Sequence, residues 1–172
     1  MAVALDAATL SVWLHPEAEP PKDPDTQQPV HMARERIEAK IQNLQKSKQR
    51  VIIPTPALAE VVCFGEIDTA SLVSSLQSNS AFEFADFDVL AAIELAEMTR
   101  TATSLGDKRS GMSDVPYQKI KLDRQIAAIA KVKNVREFHT DDKSLGHFAT
   151  LAGLTVVRTR DLPLPEKQGE LL

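Results

Sequence analysis

The chain has one cysteine, Cys63, among 172 residues. That excludes an intramolecular disulfide and any zinc site built on cysteine, and it suits a reducing cytoplasm. No run approaches the roughly 18 apolar residues of a membrane helix, so no association with a membrane is expected. Residues 1–14 are apolar, but they lack a basic start and Asp6 interrupts them, which speaks against a signal peptide. Neither a P-loop nor a GxGxxG is present, so nucleotide hydrolysis and dinucleotide binding have no support. His15, His31, His139 and His147 share no metal-ligand spacing. There is no internal repeat. What remains is 43% hydrophobic and 26% charged, the balance of one ordinary globular domain.

Net charge is −4, which argues against general coating of nucleic acid, but the basic residues are unevenly spread. Residues 119–136 hold Lys119, Lys121, Arg124, Lys131, Lys133 and Arg136 against Asp123 alone, a local net of +5, and residues 34–50 reach +4. For any single lysine a solvated helix face is the default reading, and two such runs raise the odds of a phosphate-bearing ligand only modestly.

Apolar spacing lays out alternating elements. Residues 3–5 read as a buried strand ending at Asp6, with helix from Thr9 to Leu14. Residues 15–30 are rich in proline and acids and predict an exposed or disordered insertion. Ala33, Ile37, Ile41 and Leu44 recur at helical spacing. Residues 51–54 are an apolar strand, and Thr55-Pro56 starts a helix that Gly65 stops, with Cys63 expected in the core. Asp68 caps a short helix, residues 82–87 alternate as a strand, and Asp88 caps a long helix with Leu90, Ile93 and Ala96 inward. Residues 103–117 predict a mobile insertion. Leu145, Phe148 and Leu151 mark a last helix with Gly153 as its C-cap, before a strand at residues 155–157. Residues 158–172 read as a proline-marked tail. Strands alternating with helices predict an α/β fold, a parallel sheet with helices packed on it.

The organising stretch is Lys121 to Asp142. Leu122, Ile126, Ile129 and Ala130 form one apolar stripe, and Val135 to Thr140 reads as a strand. Helices run antiparallel to the strands in such a sheet, so a helix start and a strand end share one edge, where such sheets bind ligands. Asp123 and Asp142 are placed there together. Asp6, ending the first strand, and Glu60, in the helix after the second, are placed there by separate arguments. Four carboxylates repel unless protons or cations neutralise them, and Mg²⁺ or Mn²⁺ are the usual hard cations for such a group. Taken singly, Asp6 could merely end a strand, Asp123 cap a helix and Glu60 lie on the surface. Their convergence favours a site able to activate water against a phosphodiester. His139 beside them reads as a satisfied core histidine.

These motifs resemble the PIN-domain nucleases, and within them the VapC-type toxins. The carriers are Leu5-Asp6, VIIPTPALAEVV with Glu60, LDRQIAAIA with Asp123, and FHTDDKSL with Thr140 and Asp142, covering residues 3–157. The resemblance implies a three-layer α/β/α domain with a five-stranded parallel sheet. It implies catalytic Asp6, Glu60, Asp123 and Asp142, with Mg²⁺ or Mn²⁺ on Asp6, Asp123 and Asp142 and Asp141 as auxiliary. The implied function is a cytoplasmic metal-dependent endoribonuclease cutting single-stranded RNA, the toxin of a toxin–antitoxin pair, with an antitoxin partner and a homodimer. Lys119, Lys121 and Arg124 are the expected RNA contacts, with Thr140 either orienting the reactants or satisfying backbone. One departure stands out. The family usually follows its first aspartate with Ser or Thr and then Asn, and here Ala7 and Ala8 stand there, leaving Thr9 or Ser11 to substitute. A catalytically weak PIN-fold protein that binds RNA or protein is therefore the rival. A receiver-like domain phosphorylated on Asp6 is disfavoured, because no second acid adjoins it.

Overall fold

Both faces of the central strands are apolar, and that dictates the layering. Along β1 (Ala2–Leu5) Ala2 and Ala4 enter one core cluster while Val3 and Leu5 enter the other. Along β2 (Arg50–Pro54) Ile52 joins the first cluster and Val51 and Ile53 the second. Strands buried on both faces read as continuous apolar runs and need helices on each side. The structure is a computed structural model that describes residues 1–64 and 68–165. Its parallel sheet has the order β3 (Phe82–Ala85), β2, β1, β4 (Val135–His139), β5 (Thr155–Val157). One face carries α1 (Ala7–Leu14), α2 (Ala33–Lys46), α3 (Thr55–Phe64) and α4 (Thr69–Ser78). The other carries α5 (Val89–Ser104), α6 (Tyr117–Val132) and α7 (Lys143–Leu151). The three-layer α/β/α architecture is as the sequence predicts.

The α6 stripe packs as expected, with Ile126, Ile129 and Ala130 buried and Leu122 partly so. Asn134, at φ +55°, turns the chain from α6 into β4, a left-handed conformation that asparagine adopts more readily than most residues. The register of β4 pairs His139 with Leu5, so the next residues, Thr140 and Asp6, meet just past the strand ends.

Several expectations are corrected. The α5 face turned inward carries Ala91 and Ala102, while Leu90 and Ile93 are 63% and 56% exposed and Ala96 is exposed too. Met98 lies on the same face, partly buried against the first cluster, so the inward stripe runs through Ala91, Met98 and Ala102. Leu151 and Cys63 are likewise exposed. Residues 15–30 are an exposed loop, one of the two forms the sequence predicts, and it is tied down: Lys22 bridges Pro29, and the Arg160 guanidinium meets Asp23 at 3.0 Å and Asp25 at 2.5 Å. Residues 158–162 are no tail. They form a short 3-10 helix (Thr159–Asp161), Leu162 is buried against the second cluster, and Arg36 donates to its carbonyl. The expected helix stop at Gly65 and residues 166–172 lie outside the described residues.

That packing gives a test of the C-terminal segment. Leu162→Ala should cost about 2–4 kcal/mol in urea unfolding, as for a buried leucine. A tail residue would change stability by less than about 0.5 kcal/mol.

Candidate active site

Asp6 is the N-cap of α1. One carboxylate oxygen accepts the Thr9 N–H at 2.7 Å, and the other accepts the Thr140 hydroxyl at 2.5 Å. Thr140 Oγ1 in turn accepts the Asp142 N–H at 3.0 Å, so one hydroxyl ties the acid after β1 to the backbone after β4. The Thr9 hydroxyl donates to the His139 carbonyl at 3.3 Å. Ala7 and Ala8 thus leave Asp6 supported, because Thr9 and Thr140 take over the task. Asp6 is only 2% exposed. Burial pushes its carboxyl up to about 6, with Asp141 adding to the rise, against the lowering effect of its Thr140 and Thr9 hydrogen bonds.

Asp123 is buried on α6, one turn after Lys119, whose ammonium lies 3.1 Å from Asp123 Oδ1 and 3.0 Å from Asp142 Oδ2. Asp142 also caps α7 through Leu145 N–H at 2.9 Å. Glu60, half-buried on α3, lies within the field of Lys119, Asp123 and Asp142. Burial raises the carboxyls of Asp123 and Glu60 above the usual range; Lys119 opposes the rise in both, and Ser144 also opposes it in Asp123. Asp123 Oδ2 and Ser144 Oγ are nevertheless buried without a hydrogen-bond partner. The Ser144 hydroxyl faces the carboxylate at a geometry short of a bond. Asp141 is engaged elsewhere, accepting the Thr159 N–H at 3.2 Å and its hydroxyl at 2.5 Å.

Two of the four acids, Asp123 and Asp142, thus share one ammonium, Asp6 joins them through Thr140, and Glu60 lies within their field. Among the described residues no three His, Cys, Asp or Glu side chains are grouped tightly enough to share an ion. The Lys119 ammonium stands between two of them.

The expected RNA contacts separate. Lys119 is in the site, and Lys121 is exposed with its ammonium 5.3 Å from the centre of the Tyr117 ring. Arg124 is only 2% exposed: it donates to the Lys108 carbonyl at 2.7 Å and Ser110 Oγ at 2.9 Å, and its guanidinium lies 5.0 Å over the Phe148 ring. It clamps the 105–116 loop onto the core, which removes it from any substrate surface. Sequence reasoning missed Ser144, whose signal was its place in the first turn of α7 two residues after Asp142. It also missed Lys143 and Arg158, which line a groove of about 370 Å³ with Thr140, Asp142 and His147. A larger cavity of about 540 Å³, lined by Met98, Leu105, Phe148 and Leu151, touches none of the four acids. His139 is buried, and burial lowers it to about 4, so it is a neutral core residue; contrary to expectation it is not fully satisfied, since its Nε2 has no hydrogen-bond partner and lies 3.4 Å from Glu137 Oε2.

The raised Asp6 has a measurable consequence. A carboxyl held near 6 when folded and near 3.8 when unfolded binds its proton more tightly in the native state. Its contribution to stability is therefore full below about pH 4 and is lost as pH rises towards 7. Asp6→Asn should remove that dependence. The variant should gain on the wild type by about 3 kcal/mol between pH 4 and 7 in urea unfolding, at roughly 1.4 kcal/mol per pH unit. A constant difference across that range would contradict the assignment.

No family model matches the sequence, and no curated protein matches it. Among solved structures, the chain is similar to a chain in the crystal structure of VapBC2 from Rickettsia felis bound to a DNA fragment from their promoter. The TM-score is 0.56 at 16% identity, over 92% of this chain and 98% of that one. Identity so low speaks to fold, and fold is where the two agree. The five-stranded parallel sheet, the helices on both of its faces and this match together give the chain a PIN-domain fold.

Proposed function

We propose that the chain is a metal-dependent endoribonuclease acting on single-stranded RNA. The observation that carries this reading is the meeting of Asp123 and Asp142 on one ammonium, with Asp6 tied to the same edge through Thr140. The donors suit a hard divalent cation, being carboxylate oxygens, and one of them, Asp123 Oδ2, is buried with no partner. Asp123 and Asp142 would hold Mg²⁺ or Mn²⁺, with Asp6 and Glu60 close by and Asp141 as auxiliary. Few protein ligands, with waters completing the shell, are usual for Mg²⁺. Such an ion supplies an activated water and balances the charge that develops on a phosphodiester.

The remaining roles belong to the chain itself. Thr140 fixes Asp6 relative to the backbone of Asp142, so the first and last acids keep their spacing. Ser144 offers a hydroxyl to Asp123. Lys121, Lys143 and Arg158 form no ion pair among the described residues and are free to meet RNA phosphates on either side of the acids. Arg124 serves only to hold the loop.

The VapBC2 likeness supports a toxin role with an antitoxin partner; a homodimer and a cytoplasmic location are part of the same proposal. No helix among the described residues is long and apolar enough to cross a membrane. Ala7, Ala8 and the lysine between the acids favour a second reading, a PIN-fold protein that binds RNA and cuts it weakly or not at all.

Two measurements test the proposal. End-labelled single-stranded RNA should be cut with Mg²⁺ or Mn²⁺ and left whole with chelator, and Asp123→Asn should bring cleavage to background while still folding. Cleavage retained by that variant would overturn the assignment, and RNA binding without cleavage by the wild type would favour the second reading. Lys121→Ala should weaken binding alike across RNA sequences and lower the salt slope by about 0.7 for a single strand. An unchanged slope would return Lys121 to the solvated surface.

A further inference from the structure

The chain has a single tyrosine, Tyr117, and three cations surround its ring. Lys108 Nζ and Lys121 Nζ each lie 5.3 Å from the ring centre, and the Arg109 guanidinium lies 5.7 Å away. Lys121 stands one turn further along α6, while Lys108 and Arg109 arrive on the 105–116 loop. That loop is held in place. Arg124 donates to the Lys108 carbonyl and the Ser110 hydroxyl, and His147 Nε2 donates to the Ser110 carbonyl at 2.7 Å. Among the described residues none of the three cations forms an ion pair. The acids of the loop are engaged elsewhere: Asp107 accepts the Arg109 and Gly111 N–H groups, and Asp114 accepts the Ser113 hydroxyl. Three like charges gathered at one ring repel, and an anion between them relieves the repulsion.

Beside the ring a groove of about 510 Å³ opens between α5 and the start of α6. Leu95 and Leu122 give it apolar walls, and Thr99, Gln118 and Gln125 supply hydroxyl and amide groups. That volume lies in the usual range for a small organic ligand. An aromatic ring, apolar walls and a few amides are what an unstacked nucleobase requires, and the cations are what its phosphates require. We infer that this groove is a nucleotide subsite: a base of single-stranded RNA stacks on Tyr117, and Lys108, Arg109 and Lys121 hold the phosphates on either side. The inference rests on the RNA reading above and extends it to the 103–117 insertion. A cation–π contact at an exposed site is weaker than a base stacked on an aromatic ring, so the base displaces the lysines and frees them for phosphate. Asp123 lies about 9 Å further along the axis of α6 and on another side of the helix. The subsite therefore serves a nucleotide flanking the scissile phosphate.

Binding measured in chelator, where no cleavage occurs, tests the subsite apart from the chemistry. In fluorescence anisotropy with labelled oligouridine, Tyr117→Ala should weaken binding about 5- to 150-fold and leave the salt slope unchanged. Tyr117→Phe, which keeps the ring, should bind as the wild type does. Lys108→Ala and Lys121→Ala should each lower the slope by about 0.7. Tyr117 packs partly against the core, so circular dichroism checks that Tyr117→Ala folds. A second measurement needs no variant. Oligonucleotides carrying one 5-iodouridine, irradiated in complex with the wild type, should crosslink to Tyr117 from a position beside the cleavage site. Unweakened binding by folded Tyr117→Ala, or crosslinking that spares Tyr117, would overturn the subsite and leave the nuclease reading standing. Tyr117-dependent binding by a protein that cuts no RNA with Mg²⁺ or Mn²⁺ would do the reverse. No RNA binding by the wild type would overturn both.

Discussion

Carboxylates gathered at one end of a sheet repel, and the rest of this molecule is arranged around making that arrangement tolerable. Three devices share the task. Burial shifts Asp6, Asp123 and Glu60 towards their neutral forms. Lys119 supplies a positive charge between Asp123 and Asp142. Helix starts do the remainder: Asp6 caps α1 and Asp142 caps α7, where backbone N–H groups and the positive end of the helix dipole favour an anion. For these two residues the structural and chemical readings are therefore not rivals. The cap fixes where the carboxylate sits, and its second oxygen remains for other work.

The topology decides why these residues meet. With the order β3-β2-β1-β4-β5, the chain winds outward from β1 through β2 to β3, then returns through α5 and α6 to β4 on the other side of β1, and a crevice opens between β1 and β4 at their carboxyl ends. Asp6 and Thr140 flank that crevice because Leu5 and His139 are partners in the ladder. A slip of one residue in β4 would turn Phe138 and His139 to opposite faces and separate Thr140 from Asp6. Phe138, wholly buried in the first cluster, opposes such a slip. The core thus sets the position of the site through the register of a single strand pair.

Much of this was legible from the sequence because it rests on local signals. Strand ends, helix starts and the stripe on α6 follow from spacing over a few residues, and these alone bring Asp6, Glu60, Asp123 and Asp142 to one edge. What stayed hidden depends on partners far along the chain. Arg124 sits in a basic run and reads as surface, yet a loop more than ten residues upstream folds over it. Leu90 and Ile93 form a sound apolar stripe, but periodicity identifies a stripe without saying which one faces inward. The face that turns inward is the one with Ala91, Met98 and Ala102. The loop at 15–30 looked unable to fold because it buries little of its own, and its anchor, Arg160, lies more than 130 residues away.

The departure at Ala7 and Ala8 shows how a motif can lose its usual side chains and keep its geometry. Support for a buried carboxylate can come from any donor that reaches it, and the donors here are a backbone N–H one turn ahead and a hydroxyl from the neighbouring strand. The second has a further consequence. Thr140 bonds Asp6 and the Asp142 backbone at once, so displacing either acid disturbs the other. A hydroxyl that both donates and accepts cannot be replaced by a methyl without leaving an acceptor and an N–H unserved in a buried place.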